Sequence, residues 1–355
     1  MWGCHRSGTE KGELLIGMAD CLLTLDYELF FQKSGDASVS LLKPTAELLE
    51  VLERIGGKAV FFVDTIYLNL LKKSEIPQDA ELYGKFESQL QEIVIRGHRI
   101  ELHLHPHWLD VRKENNEWVF QSYKHYKLNS LTEEKIIELF QEGVELLNHI
   151  ARKAVPDYAV CAFRAGGWCV EPFEKLRSAF QICGIKVDSS VVPGMRLDGE
   201  VHALDYSGLK SNAFYRFSDD VRIPDKNGKT IELPVNGYYM SRWEKIAFAL
   251  GRKMNRKNAE IFGDGKGISV IAAVSVRKRF MSFLQKGKYF NQFMLDGYIN
   301  SVLIERKVSQ SELPFVSIVA HPKTLTLSSL RAVEYLAAKG HHFRSLTEIL
   351  EKYEI

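Results

Sequence analysis

The sequence predicts an α/β chain: a distorted, incomplete (β/α) barrel of about seven parallel strands, with a mixed, largely helical insertion before the last strands. Three observations predict it. Short apolar runs alternate with amphipathic helical stretches along most of the 355 residues. Run after run ends in polar, chemically capable side chains, and strand tips are where α/β folds place their chemistry. The rhythm breaks after Asp188 and resumes at Phe315.

The elements follow in order. Residues 22–25 form a buried strand, followed by a helix over 45–55 with Pro44 near its start and Gly56-Gly57 at its end. Residues 59–63 are a strand ending at Asp64, and 81–95 a helix that stops at Arg96-Gly97. Residues 100–104 are a strand carrying histidines. Residues 132–150 are an amphipathic helix opened by Thr132, with Glu133 and Glu134 in its first turn. A strand over 160–163, a helix over 171–183 and a strand at 186–187 come next. Within the insertion, 225–229 is hairpin-like, 231–235 reads as a further barrel strand, and 241–310 is largely helical. The closing set is a strand over 316–320, a helix over 328–339, a strand at 342–344 and a helix over 346–353. The expected organisation is a tail over 1–13 and one domain over 14–355, with the insertion at about 200–310.

Composition narrows the function. A chain 45% hydrophobic and 26% charged buries a large core, and a net charge of +2 is too small to imply nucleic acid. The five cysteines are odd in number and form no C-x-x-C pair, which argues against a disulfide framework or a zinc knuckle. The first residues lack the long apolar core of an export signal, so the expected location is cytoplasmic. Residues 241–260 combine Arg242, Lys245, Arg252, Lys253, Arg256 and Lys257 with Trp243, Ile246, Phe248 and Leu250. This pattern suits a membrane-surface helix, or an ordinary cover packed on the barrel with a solvated cationic face.

The densest chemistry is Ile100-Glu101-Leu102-His103-Leu104-His105-Pro106-His107-Trp108. Imidazole is the commonest protein ligand of a first-row metal. His103 and His107, four apart, are placed to grip one metal at a strand-to-loop bend; His105 alternates with them and is a substitute ligand or, the expected role, a residue behind the ligands or at the rim. Upstream, Asp26 and Glu28 end the first strand two residues apart and so point the same way. Arg164 follows a strand and suits a carboxylate with its planar fork, and Gly166-Gly167 bring Trp168 over a pocket. Asp188 and His321 end two further strands. Asp64 ends another and either lines the pocket or caps the next helix.

In five ordered blocks from about Leu22 to His321 the chain resembles the polysaccharide deacetylases of the NodB-homology group, carbohydrate esterase family 4. The blocks are Thr24-Leu25-Asp26-Tyr27-Glu28; Gly97-His98-Arg99-Ile100-Glu101 followed by His103 and His107; Arg164 to Trp168; Asp188; and Val319-Ala320-His321. The departures are Tyr27, where the family has a second Asp, and the missing Pro of the third block. They mark an outlying branch with its own substrate.

The resemblance implies a divalent metal, zinc first, with cobalt, nickel or manganese as alternatives. Its ligands would be His103, His107 and a first-block carboxylate, Glu28 or Asp26. With Glu28 as ligand, Asp26 is the general base, held ionised by Arg164. His321 protonates the departing amine, with Asp188 tuning it. The oxyanion sits against the Tyr27 backbone N–H, and Trp168 walls the acetyl group or sugar ring. The implied reaction is removal of an N-acetyl or O-acetyl group from a sugar or polysaccharide precursor. Two alternatives stand beside it. One is a catalytically degenerate carbohydrate-binding relative. The other is a different metal-dependent amidohydrolase, although there the His-x-His pair lies on the first strand.

Overall fold

The computed structural model describes residues 17–114, 117–122, 124–199, 201–210, 213–267 and 288–355. The 1–13 tail and residues 268–287 of the expected helical insertion lie outside them. Nine strands build the main sheet among the described residues: β1 (Asp20–Tyr27), β2 (Ala59–Asp64), β3 (Arg99–Leu104), β4 (Ala162–Ala165), β5 (Val187–Asp188), β6 (Tyr215–Phe217), β7 (Thr230–Glu232), β8 (Phe315–Ala320) and β9 (His342–Phe343). Their order is β6-β7-β5-β4-β3-β2-β1-β8, with β9 against the start of β1. From β7 to β8 every neighbouring pair is parallel, which makes seven consecutive parallel strands. Only β6 runs antiparallel, against β7. The result is the incomplete barrel that the alternating pattern predicts.

Strands whose outer face meets helices and whose inner face fills the barrel must be apolar on both. All residues of β1, β2 and β8 are buried accordingly. The helices are α1 (Lys43–Ile55), α2 (Thr65–Lys73), α3 (Pro77–Ile95), α4 (Glu133–Arg152), α5 (Glu174–Cys183), α6 (Arg242–Met254), α7 (Ser301–Ser309), α8 (Leu327–Ala338) and α9 (Leu346–Lys352). Helix α1 ends at Gly56 in a left-handed conformation (φ 63°), which glycine adopts without strain. Helix α4 is capped by the Thr132 hydroxyl, which accepts the Lys135 N–H. The short helix α2 was not predicted. Helix α3 begins at Pro77 rather than 81, because proline suits the first helical turn.

The insertion is less helical than expected over its described residues. Besides α6 and α7 it forms a ladder of Gly237–Ser241 with Lys288–Gln292. It also closes the side of the barrel that β8 leaves open. Phe293 N–H donates to the Asn236 carbonyl, Val319 N–H to Phe293 and Leu295 N–H to Val319. The Asn236 side chain accepts the Ser317 N–H at 2.7 Å. Residues 293–296 therefore run along β8 and reach the sheet's C-terminal end.

His98 illustrates a buried neutral imidazole. It lies beneath the sheet with 3% exposure, and its Nδ1 accepts the Ala59 N–H at 3.2 Å. Burial, helped by nearby Lys58 and Arg96, pushes its pKa down from 6.5 to about 4. The unfolded chain takes up this proton first, so the fold loses stability as pH falls from 6.5 toward 4. At about 1.4 kcal/mol per unit, that loss totals about 3 kcal/mol. Urea unfolding as a function of pH is expected to show it, and His98→Gln to flatten that part of the profile.

Candidate metal centre and active site

The tips of β1, β3, β4 and β8 converge at one end of the barrel. Asp26 in β1 and Glu28, one residue past its end where the Glu28 N–H donates to the Asp26 carbonyl, face the same side. Tyr27 goes the other way: its hydroxyl donates to Gln89 at 2.8 Å and its ring meets Phe86 edge-on. Only the Tyr27 backbone is left for the oxyanion role expected of it.

His103 on β3 and His105, the extended residue just past its end, are brought together, their ring centroids 4.8 Å apart. His103 Nδ1 lies 2.7 Å from the Arg164 carbonyl, an acceptor only, so Nδ1 carries a proton and Nε2 is the nitrogen turned to the site. That Nε2 lies 3.1 Å from Glu28 Oε2, and His105 Nε2 also contacts Glu28 Oε2. Glu28, His103 and His105 are all buried and offer three ligand atoms within 4.8 Å of one another. Two imidazole nitrogens against one carboxylate oxygen need positive charge there, which a divalent cation supplies when bound and a ring proton supplies otherwise. One carboxylate and two imidazoles, with the His103 tautomer fixed by a backbone carbonyl, therefore fit a divalent metal.

His107 departs from expectation. Pro106 opens a 3-10 turn immediately after His105, so the period-two alternation ends there. The His107 ring packs against Phe31 at 4.7 Å and Phe120 at 5.3 Å, and stacks on Tyr126. Burial holds its pKa well below 6.5, helped by the neighbouring His105. The three clustered ligand atoms thus include His105, expected behind the ligands or at the rim, and not His107. Gly166 permits this placement: a Cβ there would lie 2.6 Å from His105 Nδ1. Asp64 pairs in register with His103, and its carboxylate accepts the His105 backbone N–H at 3.4 Å, so it sits under the histidines.

Arg164 is fully buried and organises the other carboxylate. It donates to Asp26 at 2.5 Å, Thr24 at 2.9 Å, the Ser189 hydroxyl at 2.8 Å and the Ser189 carbonyl at 2.7 Å. Burial alone would raise the Asp26 pKa, but Arg164 and His321 outweigh it and hold the carboxyl well below its ordinary range. His321 Nε2 lies 3.4 Å from Asp26 and 3.7 Å from Glu28. Burial would lower the His321 pKa; Asp296 and Asp26 override it and raise the value from 6.5 to about 10. The Trp168 ring stands 6.4 Å from that of His321, placed by Gly167 and Trp168 both at positive φ.

Asp188 does not tune His321. The charge partner is Asp296, which accepts from His321 Nδ1 at 2.7 Å and from the His321 backbone N–H at 2.9 Å. Asp188 lies behind Arg164, accepting from Ser190 at 2.7 Å, beside Glu232. Burial raises the pKa of both carboxyls, and their mutual charge raises Glu232 further. Asp188 Oδ2 and Glu232 Oε2 are buried without a hydrogen-bond partner, a setting that favours the neutral form of a carboxyl.

Three residues escaped the sequence reading. Lys323 donates to Glu28 Oε1 at 2.6 Å and to the Leu29 carbonyl at 2.8 Å. It stands two residues after His321, a spacing that signals a shared site. Glu232 sits in the 231–235 strand already recognised, where a lone acid in an apolar run was the clue. Asp296 had no local signal.

No protein-family model and no curated protein sequence matches the chain. Solved structures do. A protein from Mycobacterium smegmatis assigned as a polysaccharide deacetylase is 13% identical, with a TM-score of 0.47, over 95% of this chain and 91% of that one. A family 4 carbohydrate esterase from Streptomyces lividans is 11% identical, with a TM-score of 0.38, over 90% and 86%. A family 4 pseudoenzyme from Bacillus anthracis is 10% identical, with a TM-score of 0.39, over 94% and 66%. These likenesses are distant, and the functional reading rests on the geometry of the site itself.

Proposed function

We propose that the chain is a metal-dependent hydrolase that removes an acetyl group, N-linked first, from a sugar or glycan precursor. The observation that carries this reading is the placement of Asp26 and His321 beside the Glu28-His103-His105 cluster. It is supported by the order of the five sequence blocks that the chain shares with carbohydrate esterase family 4.

Glu28, His103 and His105 would hold the metal, with zinc the first expectation from the nitrogen and oxygen donors. When bound, the metal polarises the acyl carbonyl and lowers the pKa of water. The chain supplies the proton traffic. Asp26, kept ionised by Arg164, accepts a proton from the attacking water. His321, kept protonated by Asp296 and Asp26, delivers one to the leaving amine nitrogen as the C–N bond breaks. The products are acetate and the free amino sugar, and Trp168 walls the side of the cleft facing His321. A glycan precursor carried on a lipid would meet the protein at a membrane surface.

The test is a mass-spectrometric screen of N-acetylated saccharides for acetyl loss, with His103→Ala as control. Activity that survives in that variant would sink the reading. Asp296→Asn is expected to lower kcat by about 10²-fold with KM little changed, because it removes the charge behind the proton donor. Asp188→Asn, which does not touch His321, is expected to act through stability instead. A non-catalytic sugar-binding protein is the second reading, favoured by one contact: Lys323 already neutralises part of the Glu28 charge at 2.6 Å. Purified protein that holds no metal and releases no acetate from any saccharide in the screen would support it.

A further inference from the structure

Helix α6 does not pack as an ordinary cover. Such a helix turns its apolar stripe inward. Here Trp243, Leu250 and Met254 recur at i, i+7 and i+11, one solvent-facing stripe, with 77%, 56% and 84% of their surface exposed. None of the residues of α6 is buried. What holds the helix to the body lies on a different face. Glu244 pairs with Arg306 and Lys307, and the Phe248 ring meets Tyr298 at 5.4 Å. The outward stripe is therefore not left over from inward packing.

Charge says what would cover it. From Lys245 to Ala259 the sequence contains no acidic residue. Arg252, Lys253, Arg256 and Lys257 are all exposed around the end of the helix that carries Leu250 and Met254. Favourable interaction with the helix dipole accounts for cations in the last turn, but not for the exposed Trp, Leu and Met beside them. Aromatic and aliphatic side chains flanked by cations, on a helix lying along the surface, are the chemistry of an anionic lipid interface. Among the described residues no helix is long and apolar enough to cross a membrane, so the contact would be peripheral.

The helix also borders the catalytic end. A cavity of about 300 Å³ lies beneath it, lined by Tyr238, Phe248, Met294, Tyr298 and Asp296. Asp296 is the residue that holds His321. We infer that α6 seats the protein on an anionic membrane surface, with the cleft opening beside that contact. The seating does not depend on the deacetylase reading; only the idea that substrate enters from the lipid side rests on it.

Co-sedimentation of the full chain with vesicles tests the seating. Binding is expected to phosphatidylcholine vesicles containing phosphatidylglycerol, and not to phosphatidylcholine alone. It should weaken sharply in high salt, as surface electrostatics do. Trp243→Glu/Leu250→Glu is expected to abolish it. Arg252→Glu/Lys253→Glu is expected to weaken it by at least about ten-fold, from roughly five-fold per cation removed. Unchanged thermal melting and unchanged acetate release from a soluble N-acetyl sugar would show that fold and active site are intact in these variants. Equal binding to neutral vesicles, or no binding by the wild-type chain, overturns the inference. So does a concentration-dependent dimer that Trp243→Glu disrupts, since the stripe would then belong to a second copy.

Discussion

Replacing His105 with alanine is expected to remove the metal and the activity together, whereas His107→Phe keeps both. His105 Nε2 meets the same Glu28 oxygen as His103 Nε2, so truncating it leaves two protein ligands. Metal affinity should then fall by more than the roughly 10–100-fold that follows loss of an outer-shell partner. Without the metal, a nucleophilic water would keep the high pKa of bulk water, and kcat/KM is expected to drop by at least about 10³-fold. His107 lies in a ring cluster with Phe31, Phe120 and Tyr126, and its Nδ1 is buried without a partner. Phenylalanine fills the same space without an orphaned nitrogen, a change that is neutral to stabilising. Elemental analysis after dialysis, with chelator competition for affinity, checks both variants. Loss of metal in His107→Phe and its retention in His105→Ala would restore His103 and His107 as the pair.

The structure groups His103 with His105 rather than with His107 for a local reason. Four-residue spacing is informative where the backbone turns evenly, but here β3 runs extended through Leu104 and Pro106 then turns it. On an extended strand i and i+2 share a side, so alternation favours His103 with His105. The same rule, applied to Asp26 and Glu28, predicted their common direction. Most strands and helices were legible because buried parallel strands are apolar on both faces and helices carry caps and periodicity. Thr132, Pro44 and Gly56 each marked an end within a residue or two of the observed boundary. Asp296 was not legible. It reaches His321 by a chain-distant route, carried along β8 by the return of the insertion, and no short window of sequence encodes that return. The Asp188 assignment failed likewise: a strand-end acid was recognised, but which neighbour it faces depends on the sheet order, which puts β5 beside β4 and its Arg164, away from β8.

Arg164→Met is expected to cost the fold about 3–5 kcal/mol, the range for removing one partner of a buried ion pair. The guanidinium is fully buried and makes four hydrogen bonds, to Asp26, Thr24 and Ser189. Its removal leaves Asp26 buried without its main counter-charge, and the buried Asp188 and Glu232 carboxyls lose the Arg164 charge that opposes their upward shift. Arg164→Lys is expected to recover little, because one ammonium cannot span Asp26, Thr24 and Ser189 together. The pH dependence carries the signature. In the wild type, Asp26 is held below its unfolded value, so its contribution is present at neutral pH and fades as pH falls below about 4. In Arg164→Met, burial acts unopposed by the arginine, and the carboxyl titrates higher in the folded state. The variant therefore regains stability relative to wild type on acidification, and the gap between them narrows. Asp26→Asn/Arg164→Met should be more stable at neutral pH than Arg164→Met alone, since it removes the stranded charge. Urea unfolding at several pH values measures all of this. A loss below about 1 kcal/mol, or full rescue by lysine, would mean that Arg164 does not anchor Asp26 by charge and geometry together.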